Sequence, residues 1–158
     1  MINTPSIIAQ RLESLGIKLV KPGTPAASYV MIRNAGNIIY LSGHIAKKSG
    51  KPWVGKLGLN MTTEEGYQAA RSIGIDLLST LDKNLGDLDQ VEKILKMTCL
   101  VNSTQDYTDQ HLVANGCSEL MVEVFDSAGK HARSAFGVSQ IPMGSCVEIE
   151  LIVQTHSS

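Results

Sequence analysis

The chain has 158 residues, of which 43% are hydrophobic and 18% are charged, and its formal net charge is −1. This length and composition predict one globular domain whose core needs no metal or disulfide to fold. Basic and acidic residues are interspersed, which argues against binding nucleic acid or an anionic membrane through a broad basic surface.

The three cysteines, Cys99, Cys117 and Cys146, are widely spaced and form no Cys-x-x-Cys motif. We therefore expect neither a metal site nor a disulfide framework, and interpret the cysteines as small buried side chains. No apolar run is long enough to span a membrane, and the first residues lack the pattern of a signal peptide. These features predict a cytoplasmic protein.

The N-terminal third predicts a helix and a β-hairpin. Thr4-Pro5 is typical of a helix start, and Gly16 follows the last apolar position of the helical stripe. After a loop rich in Pro and Gly, the apolar runs 29–32 and 37–42 flank a short turn. Two β-rich runs separated by such a turn predict antiparallel strands.

The segment 44–60 contains several lysines and glycines and predicts a long exposed loop. Thr62 and Glu65 then form the pattern of a capping box, with Thr62 as the N-cap. Apolar residues at helical spacing follow as far as Gly86, which predicts the end of the first long helix.

The second half predicts a strand, a helix and a closing strand pair. Residues 91–102 form an apolar run long enough to cross a domain. A second long helix is expected to begin near Ser103 or Thr104 and to end at 126–129. The apolar alternation on both sides of Pro142 predicts that the last two strands form a hairpin.

The element order is therefore β-β-α-β-α-β-β, preceded by an N-terminal helical extension over residues 1–18. This order indicates an α+β fold in which two long helices cover one face of a mixed β-sheet. The other face has no helices left to cover it, which predicts oligomerisation. We expect residues 1–158 to form a single domain.

Arg133 is a permanent cation at the start of the first closing strand, and Glu148 returns after the turn. The residues alone favour an ion pair of Arg133 with Glu148 or Glu150 at a sheet edge. The alternative is that the guanidinium holds an anion in an active site.

Five segments of the chain, in order, resemble the RidA (YjgF-type) family of reactive-intermediate deaminases over roughly residues 20–155. These are ASYV at 27–30, IIYLSGHI at 38–45, the LVNS strand end, the VANGCSELM helix and ARSAFGVSQIPMGSCVEIE. The last is the most diagnostic, because an Arg-Ser pair, a turn with Pro and a returning EIE strand are typical of the family.

The resemblance implies a chorismate-mutase-like fold and a homotrimer with active sites between subunits. It also implies hydrolysis of 2-imino or 2-enamino acids to 2-keto acids and ammonia, with no cofactor and no metal. The small-molecule partner would be an imino acid substrate or its keto acid product.

On this resemblance Arg133 would clamp the substrate carboxylate with two parallel hydrogen bonds. Glu148 would orient the attacking water and carry protons. Strand alternation places Glu148 and Glu150 on the same face, so only the register of the family motif favours Glu148.

The resemblance assigns five further positions to substrate binding. Tyr29 would line the pocket, and Ser42-Gly43 would let backbone N–H groups approach the carboxylate. Asn115 would reach a neighbouring site from the second long helix, and the carbonyl of Ala135 would help to hold the water. Three of these residues have an ordinary structural alternative: Tyr29 could pack across strands, Gly43 could simply end a strand, and Asn115 could lie on the helix surface.

The chain departs from the short family members at several positions. Ala135 stands where a cysteine is common, and His44 stands where a glutamine is common. From the residues alone His44 is expected to be an exposed loop histidine, and His131 to pack beside Arg133. The N-terminal helix and the longer 44–60 segment resemble a longer subgroup labelled putative endoribonuclease.

Two other functions stay open. A ribonuclease or RNA-binding protein is favoured by the Lys-rich loop with Lys47, Lys48, Lys51 and Lys56, although the net charge argues against it. A non-catalytic small-carboxylate-binding or chaperone-like trimer would use Arg133 to hold a carboxylate without turnover.

Overall fold

The computed structural model describes residues 6–157 and has two layers, a five-stranded sheet and a layer of helices. The helices and strands in chain order are α1 Ile7–Ser14, β1 Ile32–Ala35, β2 Ile38–Ile45, β3 Lys47–Lys48, β4 Lys51–Pro52, α2 Thr63–Leu85, β5 Val91–Asn102, α3 Gln110–Phe125, β6 Ala132–Val138 and β7 Val147–Thr155. The α+β class predicted from the sequence is confirmed.

The strands of the large sheet lie in the order β1-β2-β7-β5-β6. All neighbours are antiparallel except β5 and β6, which are parallel and are joined through α3. A parallel pair needs a crossover connection of this kind. The predicted closing hairpin is therefore wrong, since β5 lies between β6 and β7.

Side-chain chemistry explains why β7 is central and β6 is an edge strand. In β7 four alternate apolar side chains, Val147, Ile149, Leu151 and Val153, are almost completely buried. In β6 every residue is at least partly exposed, and the strand carries Arg133, Ser134 and Gly137. An edge strand tolerates polar side chains that a central strand cannot solvate.

The capping box predicted for α2 is present, with Thr62 and Glu65 exchanging hydrogen bonds, and Gly86 ends the helix in the left-handed conformation. The predicted start of α3 near Ser103 or Thr104 is wrong, because the helix begins at Gln110. The backbone N–H of Ser103 donates to Val138 and that of Thr104 to Leu57. These non-local bonds hold both residues outside the helix.

The N-terminal helix is confirmed, although the predicted capping pair Thr4-Pro5 lies outside the described residues. The hydroxyl of Ser6 caps the helix by accepting from the Ala9 N–H. The carboxylate of Asp89 accepts from Ser6 Oγ and from the Ile7 and Ile8 N–H groups at 2.8–2.9 Å. α1 is thus tied to the turn that precedes β5.

The segment 44–60 is more ordered than the predicted exposed loop. β3 and β4 form a two-stranded hairpin, while Ala46 and Leu57 are completely buried. Lys48 lies over the ring of Trp53, 4.7 Å from its centroid. Lys56 Nζ donates to the carbonyl of Ser139 at 2.7 Å and to the side chain of Asn102.

The core lies between α2, α3 and the helix-covered face of the sheet, and it includes all three cysteines as free thiols. The opposite face is only partly covered: Tyr40 and Phe136 are 48% and 47% exposed there. Within residues 6–157, no helix is both long and apolar enough to cross a membrane.

Candidate functional site

A cavity of about 610 Å³ lies where β2 and β7 meet the loop that precedes β1. Four of the predicted site residues line it: Tyr29, Ser42, Gly43 and Glu148. They come from positions far apart in the chain, and the β2–β7 pairing brings three of them together.

Glu148 lies directly over Gly43. The pairing of β2 with β7 shifts register between Leu41 and His44, which marks a β-bulge at Ser42-Gly43. A Cβ atom on Gly43 would overlap the carboxylate of Glu148, with Oε1 as the nearest atom. The missing side chain therefore makes the space that the carboxylate occupies.

Glu148 is half-buried, and burial raises the pKa of its carboxyl group above the usual value. The charge of Glu150 raises this pKa further. A carboxyl group with a raised pKa exchanges protons more readily near neutrality, as a general acid or base must.

Ser42 and Tyr29 shape the wall beside Gly43. The Ser42 hydroxyl donates to the carbonyl of Val30 at 2.6 Å, and the Ser42 N–H donates to Met31 at 2.9 Å. The ring of Tyr29 is 45% exposed, and its hydroxyl accepts from the Ala26 N–H at 3.3 Å. Tyr29 thus belongs to the loop and not, as the apolar run 29–32 suggested, to a strand.

Arg133 lies elsewhere, on edge strand β6 beneath α3. Its Nη1 donates to Asn115 Oδ1 at 2.8 Å and to Ser118 Oγ at 3.1 Å, and its Nη2 donates to the carbonyl of His111 at 3.2 Å. No carboxylate lies within ion-pair distance of Arg133 among residues 6–157. The alternative of an ion pair with Glu148 or Glu150 is therefore not realised within one chain.

His131 packs beside Arg133, as expected, and shares Ser118 with it. His131 Nδ1 lies 2.6 Å from the carbonyl of Gly129, and Nε2 lies 2.9 Å from Ser118 Oγ. Because a carbonyl only accepts, Nδ1 carries the proton and the Ser118 hydroxyl donates to Nε2 of the neutral ring. Burial lowers the pKa of His131, and the charge of Arg133 lowers it further.

Ala135 follows Arg133 on the same strand and pairs with Cys99 of β5. Its methyl group packs against the core. Asn115 and Arg133 thus form one contact group, and Ala135 lies two residues farther along the same strand. None of these three lines the cavity around Glu148.

Within one chain Arg133 and Asn115 lie far from Glu148 and its cavity. Arg133 pairs with Met97 and Glu148 pairs with Leu100, so they lie on opposite sides of β5 and three residues apart along it. Strand spacing and rise place their Cα atoms roughly 14 Å apart. Met97 is completely buried under the helices, whereas Glu148 alternates with buried Val147 and Ile149. The two side chains therefore lie on opposite faces of the sheet.

Sequence reasoning missed Asp76 and Ser118, and it placed Lys47 and His44 in an exposed loop away from the site. Asp76 and Lys47 line the cavity beside Gly43, and Ser118 contacts Arg133. His44 was expected in an exposed loop but is only 7% exposed within β2. Only Ser118 had a usable signal, since it lies three residues after Asn115 on the same helix face. Within residues 6–157, no three His, Cys, Asp or Glu side chains are grouped to hold a metal ion.

A family model described as YjgF/chorismate_mutase-like, putative endoribonuclease, matches residues 9–154. The chain belongs to this family. The resemblance to YjgF-type proteins and the chorismate-mutase-like fold are thereby confirmed.

Three similar proteins cover nearly the whole chain. Protein TCP17 of Trypanosoma cruzi is 39% identical over 152 residues, which are 95% of each sequence. The structure of Atu1372 from Agrobacterium tumefaciens, a protein with unknown function, is 32% identical with a TM-score of 0.85, and covers 94% of this chain and 92% of that one. A putative endoribonuclease from Shewanella oneidensis MR-1 is 25% identical with a TM-score of 0.89, and covers 93% and 98%.

Proposed function

We propose that this protein hydrolyses reactive 2-imino and 2-enamino acids to 2-keto acids and ammonia. The reaction needs no cofactor, and it takes place in a homotrimer whose active sites lie between subunits. One subunit supplies Tyr29, Ser42, Gly43 and Glu148, and its neighbour supplies Arg133, Asn115 and Ala135.

The observation that carries this proposal is the environment of Arg133. Its guanidinium is held by neutral acceptors alone, namely the side chains of Asn115 and Ser118 and the carbonyl of His111. A structural arginine usually has its charge balanced by a carboxylate, whereas an arginine that binds an anion must keep its charge available. The carboxylate of a 2-imino acid is such an anion.

Glu148 supplies the matching proton chemistry. The ionised carboxylate accepts a proton from a water molecule as the water oxygen bonds to C2 of the protonated imine, which gives a carbinolamine. Glu148 then returns the proton to the amino nitrogen. The C–N bond breaks and ammonia leaves with the bonding electron pair, while the ionised Glu148 takes the hydroxyl proton. C2 thereby becomes the carbonyl carbon of the keto acid, and Glu148 passes this proton to the released ammonia or to solvent.

The separation of the two groups supports a shared site. A three- or four-carbon imino acid cannot bridge two side chains on opposite faces whose Cα atoms lie roughly 14 Å apart. A closed ring of identical subunits can bring the Arg133 edge of one chain to the Glu148 cavity of the next. The half-exposed Tyr40 and Phe136 on the open sheet face give such a ring an apolar interface.

Mixed assemblies test this arrangement directly. Arg133→Ala and Glu148→Gln chains, each inactive by itself, are co-expressed in equal amounts with different affinity tags, and mixed oligomers are purified through both tags. Ammonia release is then measured with 2-iminobutyrate generated in situ. If the sites are shared, each mixed trimer purified through both tags has about one third of its sites with both wild-type residues, so activity returns.

The matched control pairs the double variant Arg133→Ala/Glu148→Gln with wild-type chains. In mixed trimers purified in the same way, shared sites leave about one sixth of the wild-type activity per chain, whereas sites within one chain leave about one half. A mixture of the two single variants that stays inactive, although the mixed oligomers form, contradicts the shared site. Wild-type protein that releases no ammonia from any imine precursor contradicts the proposed reaction.

A second candidate is RNA binding or cleavage, which the label of the matching family favours. Lys47, Lys48 and Lys51 are exposed on the β3–β4 hairpin. Lys56 is less available, because its amine already donates to Asn102 and Ser139. RNA affinity that falls steeply with salt and weakens in a Lys47→Ala/Lys51→Ala variant would favour this candidate. Binding of 2-ketobutyrate without imine turnover would favour a non-catalytic trimer.

A further inference from the structure

His44 is a buried histidine whose two ring nitrogens both have partners. Nδ1 lies 2.7 Å from the carbonyl oxygen of Ser42, and Nε2 lies 2.9 Å from Oγ1 of Thr80 on α2. Thr80 is itself buried, 5% exposed. The imidazole therefore connects the bulge in β2 to the helix layer, on the face of the sheet opposite Glu148.

The partners determine which nitrogen carries the proton. A carbonyl oxygen only accepts, so Nδ1 must donate to Ser42 in every ionisation state. In the neutral ring Nε2 then accepts, and Thr80 must turn its single hydroxyl hydrogen toward it. Thr80 Oγ1 also lies 3.1 Å from the carbonyl of Asp76. Only the protonated ring lets Thr80 keep that second bond, by accepting from Nε2.

The carbonyl that His44 holds belongs to the same peptide unit as the Gly43 N–H. A hydrogen bond donated to a peptide oxygen polarises the unit and makes its N–H a stronger donor. It also fixes the orientation of the peptide plane in the bulge, where the backbone lacks regular strand pairing. Gly43 lies at the floor of the cavity, in contact with the carboxylate of Glu148.

We propose that His44 is a positioning residue that orients and polarises the Ser42–Gly43 peptide, so that the Gly43 N–H strengthens binding of the substrate carboxylate. Thr80 anchors the ring through Nε2. This inference rests on the proposed function, because it assumes that an anionic substrate reaches Gly43. It adds a buried pair of side chains that acts through the Ser42–Gly43 peptide; His44 also lines the cavity around Glu148, whereas Thr80 does not.

Charged groups on three elements surround this ring. Burial lowers the pKa of His44, while the Ser42 carbonyl and the charge of Asp76 on α2 raise it and Lys47 of β3 lowers it. Glu148 of β7 lines the same cavity, and its own pKa is raised by burial, so the pH profile of Glu148→Gln separates its titration from that of His44. The net effect on His44 is a lowered pKa, so the neutral ring predominates at physiological pH. The charged ring is the stronger donor to Ser42, so carboxylate binding should tighten as the pH falls through this pKa.

The test compares two pairs of variants. His44→Leu removes both hydrogen bonds, whereas His44→Asn keeps an amide N–H near the position of Nδ1 and cannot titrate. Thr80→Val removes the anchor, whereas Thr80→Ser keeps the hydroxyl. We expect His44→Leu and Thr80→Val to raise KM and the inhibition constant of 2-ketobutyrate about fivefold, with kcat changed by less than about twofold. His44→Asn and Thr80→Ser should stay close to wild type.

Two further measurements separate positioning from packing. Long-range ¹H–¹⁵N spectra of labelled histidine should show the Nδ1–H tautomer for neutral His44, and Thr80→Val should lower its pKa, because the charged ring then loses an acceptor. In wild type, KM should fall as the pH decreases through that pKa, and His44→Asn should abolish this part of the profile. Lower thermal stability with unchanged KM in His44→Leu and Thr80→Val would assign a packing role and overturn the inference.

Failure of this inference differs from failure of the proposed function. If wild-type protein turns over imines and His44→Leu binds 2-ketobutyrate as tightly as wild type, only the role of His44 is wrong. If wild-type protein neither turns over imines nor binds the keto acid, the proposed function is wrong and this inference with it. An Nε2–H tautomer would contradict the hydrogen-bond assignment whatever the activity.

Discussion

The two parts of the proposed site, the cavity around Glu148 and the surroundings of Arg133, lie in different places in the fold and carry charges of opposite sign. On the β2–β7 side, a cavity of about 610 Å³ contains Glu148, Glu150 and Asp76, and burial raises the pKa of both Glu148 and Asp76. On the β6–α3 side, Arg133 is surrounded by neutral acceptors. The pKa values of Glu148 and Asp76 are raised although Lys47 lines the same cavity. Arg133 has no carboxylate within ion-pair distance among residues 6–157, although Glu119 and Glu123 line the groove beside it.

On the proposed function, neither half of the site is complete in one chain. Unbalanced charges of opposite sign cost stability in the isolated subunit, and they are complementary when two copies meet. A site shared between two copies would let Arg133 and Glu148 serve one proposed reaction although their side chains lie on opposite faces of the sheet in one chain.

The largest expected effect comes from removing the cation. Arg133→Ala should lower kcat/KM for 2-iminobutyrate by at least about 100-fold, because two charge-assisted hydrogen bonds to the substrate carboxylate are lost. Arg133→Lys keeps the charge but not the planar guanidinium, so its kcat/KM should lie between those of wild type and Arg133→Ala. A coupled assay for ammonia measures both, and light scattering checks that the oligomer is intact. A wild-type value of kcat/KM in Arg133→Ala would contradict the proposed role of Arg133 in binding the substrate carboxylate.

Glu148→Gln tests the other half and should lower kcat about 100-fold, within the usual range for a general acid–base group. Binding of 2-ketobutyrate should persist, since Arg133 remains. The raised pKa of Glu148 favours the protonated form in the folded protein. Its contribution to stability is thus present below the unfolded pKa and is lost as the pH rises through the folded pKa.

The amide in Glu148→Gln cannot ionise, so this variant should unfold at a higher temperature than wild type at neutral pH. Calorimetry from pH 4 to pH 8 measures the difference, which should shrink toward acid pH. An unchanged kcat would show that Glu148 has no role in catalysis, and a variant that is destabilised at neutral pH would contradict the raised pKa of Glu148.

Gly43→Ala tests whether the position of the Glu148 carboxylate matters for catalysis. It should lower kcat roughly tenfold, because the new Cβ displaces that carboxylate. Gly23→Ala is the matched control: it lies in the same cavity, where its Cβ would meet only the flexible end of Lys47 at 3.1 Å. Steady-state kinetics compare kcat of the two variants, and only Gly43→Ala should be impaired. Equal activity of the two would mean that the position of the Glu148 carboxylate is unimportant.

Asp89→Asn should have the smallest effect on catalysis, because α1 lies away from both halves. Burial raises the pKa of Asp89, but hydrogen bonds from the N–H groups of Ile8 and Ile7 and from the Ser6 hydroxyl lower it more, so the net pKa is low. This contribution to stability is present above the unfolded pKa and is lost as the pH falls through the folded pKa. Denaturation at neutral pH should show a loss of about 1 kcal/mol, as for other helix caps, with unchanged kcat.

Local patterns predicted most elements and failed where a distant partner decided the outcome. The capping box of Thr62 and Glu65 and the stop at Gly86 involve neighbours within one helix, so they were readable. The start of α3 was not, since Ser103 and Thr104 are bound by Val138 and Leu57. His44 was misjudged for the same reason, because its burial depends on Thr80.

The sequence alone was enough to predict the order of the long elements, the capping box and glycine stop of α2, and the alternation of β7, since these depend on near neighbours. Only the tertiary structure decided that β7 pairs with β2 and β5, and that β5 separates it from β6. Alternation tells which side chains share a face but not which strand lies beside another. That choice is made by backbone hydrogen bonds between distant segments, and it divided Arg133 from Glu148.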